Sequence, residues 1–147
     1  MFTFRKSEHM TSLKEIDALF ERGHNSSAQT YPVRAVYQLL KAEEGVPTIK
    51  VLVSVAKKRL HHAVDRNRAK RQLREAYRLQ HQELSATLQK CGKRMHIAFV
   101  WLADGPQPTD KVFESLRKIM ETINARLNAH ETKAESQHLS SVSAPQD

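Results

Sequence analysis

The sequence predicts an α+β protein: a small α-β sandwich with elements in the order α-β-β-α-β-α. Three observations lead there. The runs "IKVLVSVA" (49–56) and "MHIAFVWL" (95–102) are β-rich, apolar and short, as buried strands are. Apolar residues at helical spacing fill the segments before, between and after them. The chain has 147 residues, 39% of them hydrophobic, which suffices for one modest core. A single domain over 1–130 follows.

The first helix lies in "TSLKEIDALFERG" (11–23), where Leu13, Ile16, Leu19 and Phe20 share a broad face. Ser12 and Glu15 have the spacing of a capping box, and Gly23 is a natural stop. "YPVRAVYQLL" (31–40) reads as a strand, and Pro32 near its start suggests an edge strand. "KAEEGVPT" turns the chain into the strand at 49–56. Ala69, Leu73, Ala76, Tyr77, Leu84 and Leu88 predict one long helix from about 63 to 90, ending near Gly92. The strand at 95–102 follows; because a helix separates it from 49–56, the two can be parallel. Thr109 is a plausible N-cap for a last helix marked by Val112, Phe113, Leu116, Ile119, Met120, Ile123 and Leu127. The polar segment "ETKAESQHLSSVSAPQD" (131–147) has the composition of a disordered tail. Three strands and three helices suggest a sheet with helices on one face, and leave room for one further short strand.

Charge points to the partner. Lys and Arg number 24 against 16 Asp and Glu, a net charge of +8. Such a surface attracts polyanions. No stretch approaches the roughly 20 apolar residues of a membrane span, and "MFTFRKSEHM" has no signal-peptide core. Cys91 is the single cysteine, so no intrachain disulfide framework is possible. These features lead us to expect a soluble, cytoplasmic protein with no membrane partner.

The cations concentrate at one place. Lys57, Lys58, Arg59, Arg66, Arg68, Lys70, Arg71 and Arg74 fall within 57–74 against one acid, Asp65. On a helical wheel the apolar residues of 63–80 gather on one side, with the cations and Asn67 on the adjoining arcs. The helix can therefore dock on a sheet and still present guanidinium groups, whose planar fork suits phosphate. A solvated helix face normally mixes signs at i,i+4, and this one does not. A membrane-surface helix would need large apolar residues exposed opposite its cations, and here those are needed for the core.

The stretch "SVAKKRLHHAVDRNRAKRQLREAYR" (54–78) resembles the signature of the bacterial ribonuclease P protein family. That family has a basic pair after a buried strand, here Lys57-Lys58. An Ala-Val-x-Arg-Asn-Arg-x-Lys-Arg core follows, here Ala63 to Arg71, and then an Arg-Glu pair, here Arg74-Glu75. "RKSEHMTSLKEIDALFERG" resembles the family's first helix, with Phe20 and Gly23 in matching places, and the similarity covers roughly 4–127. Two departures are visible: Leu52 stands where the family often has Gly, and the link "RLHH" before Ala63 lacks the family's Gly and is one residue longer.

The resemblance implies a left-handed β-α-β crossover and a helix lying on a catalytic RNA. Lys57, Lys58, Arg59, Arg66, Asn67, Arg68, Lys70, Arg71 and Arg74 would be its contacts. It also implies a cleft between the first helix and the sheet for the single-stranded 5′ leader of precursor tRNA. Phe20 matches a cleft position, and Tyr31 and Arg34 fall in the adjoining strand. One protein per RNA is expected.

Hydrolysis of a phosphodiester by protein groups needs clustered carboxylates with metals, or an acid and base within reach. Glu8, Glu15, Asp17 and Glu21 read as a solvated face, and adjacent His61 and His62 point apart. No Cys/His set has zinc spacing. We therefore expect no catalytic residue in the chain and no cofactor bound by it alone, with Mg²⁺ supplied through the RNA. The competing readings are a ribosomal protein or RNA chaperone, a DNA-binding helix, and a stand-alone nuclease.

Overall fold

The computed structural model describes residues 8–10, 13–21 and 25–143, with 130–143 described by backbone alone. Ser12 and Gly23, the expected cap and stop of the first helix, lie outside the described residues. The elements are α1 (Leu13–Phe20), β1 (Ser26–Thr30), β2 (Val33–Lys41), β3 (Ile49–Ser54), α2 (Ala63–Gln80), α3 (Gln82–Cys91), β4 (Lys93–Trp101) and α4 (Thr109–Ser143). One sheet has the order β1-β2-β4-β3. β1 and β4 both run antiparallel to β2, and β3 pairs parallel to β4, an arrangement that the helical connection between them permits.

Alternation along the strands splits the side chains between two unequal layers. Val33, Ala35, Tyr37, Ile49, Val51, Met95, Ile97, Phe99 and Trp101 face α2, α3 and α4, forming the main core with Leu73, Tyr77, Leu84, Leu88, Leu116, Ile119 and Ile123. The opposite face carries Val36, Leu52 and Ala98, and α1 covers them with Ile16 and Leu19, joined by Met10. The expectation of helices on one face is therefore corrected: α1 lies alone on the other.

Three further expectations change. The additional strand is β1, "SSAQT", in which Ala28 is the one buried residue. A strand this polar has no apolar alternation to betray it. Pairing with β1 makes β2 an interior strand, so Pro32 does not mark an edge; it sits after a cis Tyr31–Pro32 bond in the β1–β2 turn. The long helix over 63–90 is two helices joined at His81. His81 stays in the helical region (φ −81°, ψ −12°), its Nδ1 lies 3.0 Å from the Arg78 carbonyl, and its ring stacks on Tyr77 at 4.9 Å. The apolar spacing runs straight through this joint. Gly92 ends α3 as expected, in the left-handed conformation at φ 68°, which favours glycine.

α4 starts where expected, but Thr109 Oγ1 accepts from Gln72 Nε2 at 3.0 Å, and Pro108 O takes the first helical N–H groups. Its backbone runs on to Ser143, past the end near 130 that the apolar pattern implies. That pattern reports an apolar stripe, whereas the segment that follows includes Ala, Glu, Lys and Gln, which are good helix formers. No helix among the described residues is long and apolar enough to cross a membrane.

Candidate nucleic-acid interface

α2 is anchored on one side. Ala69, Gln72, Leu73, Ala76 and Tyr77 are buried. Gln72 Nε2 donates to Gln107 O (2.9 Å) and Thr109 Oγ1, tying the helix to the start of α4. The other side carries Asn67, Arg68, Arg71 and Arg74, all exposed, with Lys70 half-buried beside them. Lys57 and Lys58 are exposed on a tight turn just before the helix, closed by Arg59 N and Leu60 N donating to Ala56 O. Among the described residues, Lys57, Lys58, Arg68, Lys70, Arg71 and Arg74 make no ion pair.

Two of the expected contacts are occupied within the chain. Arg59 Nη1 pairs with Asp104 at 2.7 Å. Arg66 Nη1 donates to the carbonyls of Leu60 and His61, both at 2.9 Å. Arg66 thus folds back on the link that the sequence could not trace and fixes it to the first turn of α2. Further along, Glu75 pairs with Arg78, which lowers the Glu75 carboxyl pKa. On this surface the charge without an acidic partner among the described residues therefore runs from the turn before α2 along the helix to Arg74. Val64, 78% exposed on the first turn, adds an apolar group to this surface.

The α1 side of the sheet is different. Phe20 ends α1 and is 44% exposed, outside both core clusters. Arg34 is exposed and, two residues from Val36, stands on the same side of the sheet as α1. Beneath α1 is a charged seam. Lys50 Nζ bonds Glu15 at 3.1 Å, and His96 Nε2 lies 3.4 Å from Glu15 and 3.0 Å from Arg94 Nη1. Glu15 is thus no part of a solvated face. His96 is buried, its Nδ1 has no hydrogen-bond partner among the described residues, and burial lowers its pKa, with Arg94 and Lys50 adding to the effect against Glu15. Tyr31 goes elsewhere: its ring lies under Lys111 Nζ, 5.3 Å from the centroid, on the α4 side. The structure therefore does not group it with Phe20 and Arg34. Exposure and charge made Arg68 and Arg71 visible in the sequence; the partners of Arg66 and Tyr31 are distant in sequence or belong to an untraceable turn, and had no signal there.

No group of three or more His, Cys, Asp or Glu among the described residues is placed to hold a metal ion. The arrangement offers cations on a rigid helix and an exposed ring at a helix end.

A family model described as Ribonuclease P matches residues 4–128. The chain belongs to the ribonuclease P protein family. Ribonuclease P relatives include two proteins described as "Ribonuclease P protein component" from strains of Porphyromonas gingivalis. They are 43% and 42% identical to the chain over 103 residues, covering 70% of it and 73% of each relative. A protein of the same description from Chlorobium phaeobacteroides is 30% identical over 131 residues, covering 86% of the chain and 90% of the relative. The α+β fold, with its mixed four-stranded sheet, accords with this family.

Proposed function

We propose that the chain is the protein component of a ribonuclease P, acting in tRNA processing by binding RNA. Its partner on the α2 side is the catalytic RNA, contacted by Lys57, Lys58, Asn67, Arg68, Lys70, Arg71 and Arg74, with Arg59 and Arg66 shaping the same surface. On the α1 side, Phe20 and Arg34 meet the single-stranded 5′ leader of precursor tRNA. The carrying observation is the set of exposed cations on α2 and its preceding turn that have no acidic partner among the described residues while the helix itself is firmly docked. Phosphates are the complement of such a surface. Neutralising them releases condensed counterions and lets two polyanions, catalytic RNA and substrate, approach.

The bond cleaved is the phosphodiester at the 5′ end of the mature tRNA. We assign its hydrolysis to the RNA with bound Mg²⁺, one protein serving one RNA, because the chain supplies cations where hydrolysis would need carboxylates or an acid–base pair. The test is reconstitution. The purified chain and its catalytic RNA are assayed together and apart on precursor tRNA at low Mg²⁺. The expected result is cleavage by the mixture, a lower Mg²⁺ requirement than RNA alone, and none by protein alone. Cleavage by RNA-free protein that a point mutation in the chain abolishes would overturn it.

A further inference from the structure

We infer that Tyr31 and Lys111 form a second nucleotide platform, which stacks an unpaired base of the catalytic RNA and holds its phosphate. The inference rests on the functional reading above and extends it to residues on a different element. Tyr31 is 55% exposed and belongs to neither core cluster, so its ring is not needed for packing. The turn that carries it is nevertheless held firmly. Ser115 Oγ donates to Thr30 O on one side of Tyr31, and Leu102 N donates to Pro32 O at 2.8 Å on the other. An exposed ring on a fixed turn loses little conformational freedom when a base stacks on it, and stacking tolerates any base.

The cation is equally placed. Lys111 is exposed on the first turn of α4, and its Nζ stands over the Tyr31 ring. Among the described residues it makes no ion pair. It can keep the ring contact and still reach a phosphate next to a stacked base. The platform's position decides which RNA it meets. The start of α4 is joined to α2 through Gln72, and the preceding loop is joined to the basic turn through Arg59–Asp104. The platform thus continues the α2 surface, whereas Phe20 and Arg34 belong to the α1 side.

The experiment compares wild type, Tyr31→Ala, Tyr31→Phe and Lys111→Ala. Each is titrated against the catalytic RNA alone. The assembled enzymes are then titrated with precursor tRNA and with mature tRNA. Tyr31→Ala should weaken binding of the catalytic RNA about five- to a hundredfold, while Tyr31→Phe, which keeps the ring, should stay close to wild type. Lys111→Ala should weaken it and reduce the salt slope by about 1. The preference for leader-bearing over mature tRNA should be unchanged in all three. A loss confined to leader-bearing substrate would move Tyr31 to the leader cleft and overturn the inference. Wild-type affinity in Tyr31→Ala, or an equal loss in Tyr31→Phe, would leave only a solvated ring–cation pair and also overturn it. Failure of the wild-type chain to bind the catalytic RNA would remove the functional reading itself, a distinct result.

Discussion

Arg66 and Arg68 stand two residues apart on α2 and have different partners. Arg66 closes on two carbonyls of the preceding link, one of them from Leu60, a core residue. Hydrogen bonds from charged donors contribute about 1.5–3 kcal/mol. Arg66→Ala should therefore lower the melting temperature and weaken RNA binding by releasing the turn that carries Lys57 and Lys58. Arg68, exposed and without an ion pair among the described residues, should behave as a phosphate contact. Arg68→Ala should leave the melting curve unchanged and reduce the salt slope by about 1. Matching melting curves for the two variants would disprove the clamp. Nothing in the sequence distinguishes these arginines, because the carbonyls that capture one of them are presented by a link, 59–62, whose path the sequence does not set. Phe20 makes a third residue-scale case. Its exposed ring predicts a small change in melting temperature for Phe20→Ala, but a roughly five- to hundredfold loss of affinity for leader-bearing substrate. A large stability loss with equal weakening of leader-bearing and mature tRNA would return Phe20 to the core.

At the scale of elements, α1 is the least self-sufficient. Its eight residues are fewer than the roughly 12–15 that an isolated helix needs to persist in water. It is held by Leu19 and Ile16 on Val36, Leu52 and Ala98, by the Lys50–Glu15 pair, and by Asn25 Nδ2, which donates to Leu19 O at 2.7 Å. Leu19→Ala should cost about 2–5 kcal/mol. Hydrogen exchange should quicken first in α1, and leader discrimination should fall before α2-mediated binding does. Uniform loss of protection across the sheet would show instead that α1 and the main core unfold together. The sequence made α1, β2, β3, β4 and α4 legible because each has an apolar face. It concealed the His81 joint because Leu73, Tyr77, Leu84 and Leu88 keep one phase across it, and β1 because a polar edge strand buries almost nothing.

For the whole molecule, the two faces of the sheet respond differently to pH. Among the described residues His96 is the one buried residue that can carry a charge near neutral pH, and it lies on the α1 side among Glu15, Lys50 and Arg94. The His96 pKa is lowered from 6.5 in the folded chain, chiefly by burial. The unfolded chain then binds the proton more readily, so stability is full above pH 6.5 and is lost as pH falls from there through the lowered value. His9, also lowered by burial and by Arg74, acts with the same sign. Denaturant melts between pH 5 and 8 should show stability declining on acidification, and His96→Gln should flatten its share of that slope. An unaltered slope in the variant would place the titrating group elsewhere. Parallel pairing of β3 with β4 was legible from their separation by a helix; the burial of His96 was not, since a histidine alternating with apolar residues reads equally well as facing solvent.

The short N-terminal stretch beside β3 bears on how the protein behaves in concentrated solution. A free strand edge offers its backbone groups to any similar strand, and "IKVLVS" is the kind of apolar, β-branched segment that stacks into fibrils. Here Met10 N is bonded to Val51 O at 2.8 Å and His9 bridges Val51, so the middle of that edge is already engaged. The opposite edge is β1, five residues long and polar. The sheet therefore ends on one side in a strand too short and hydrophilic to recruit another copy, and on the other in one whose hydrogen-bonding row is interrupted. A chain with two such edges is guarded against strand-to-strand aggregation when it is concentrated.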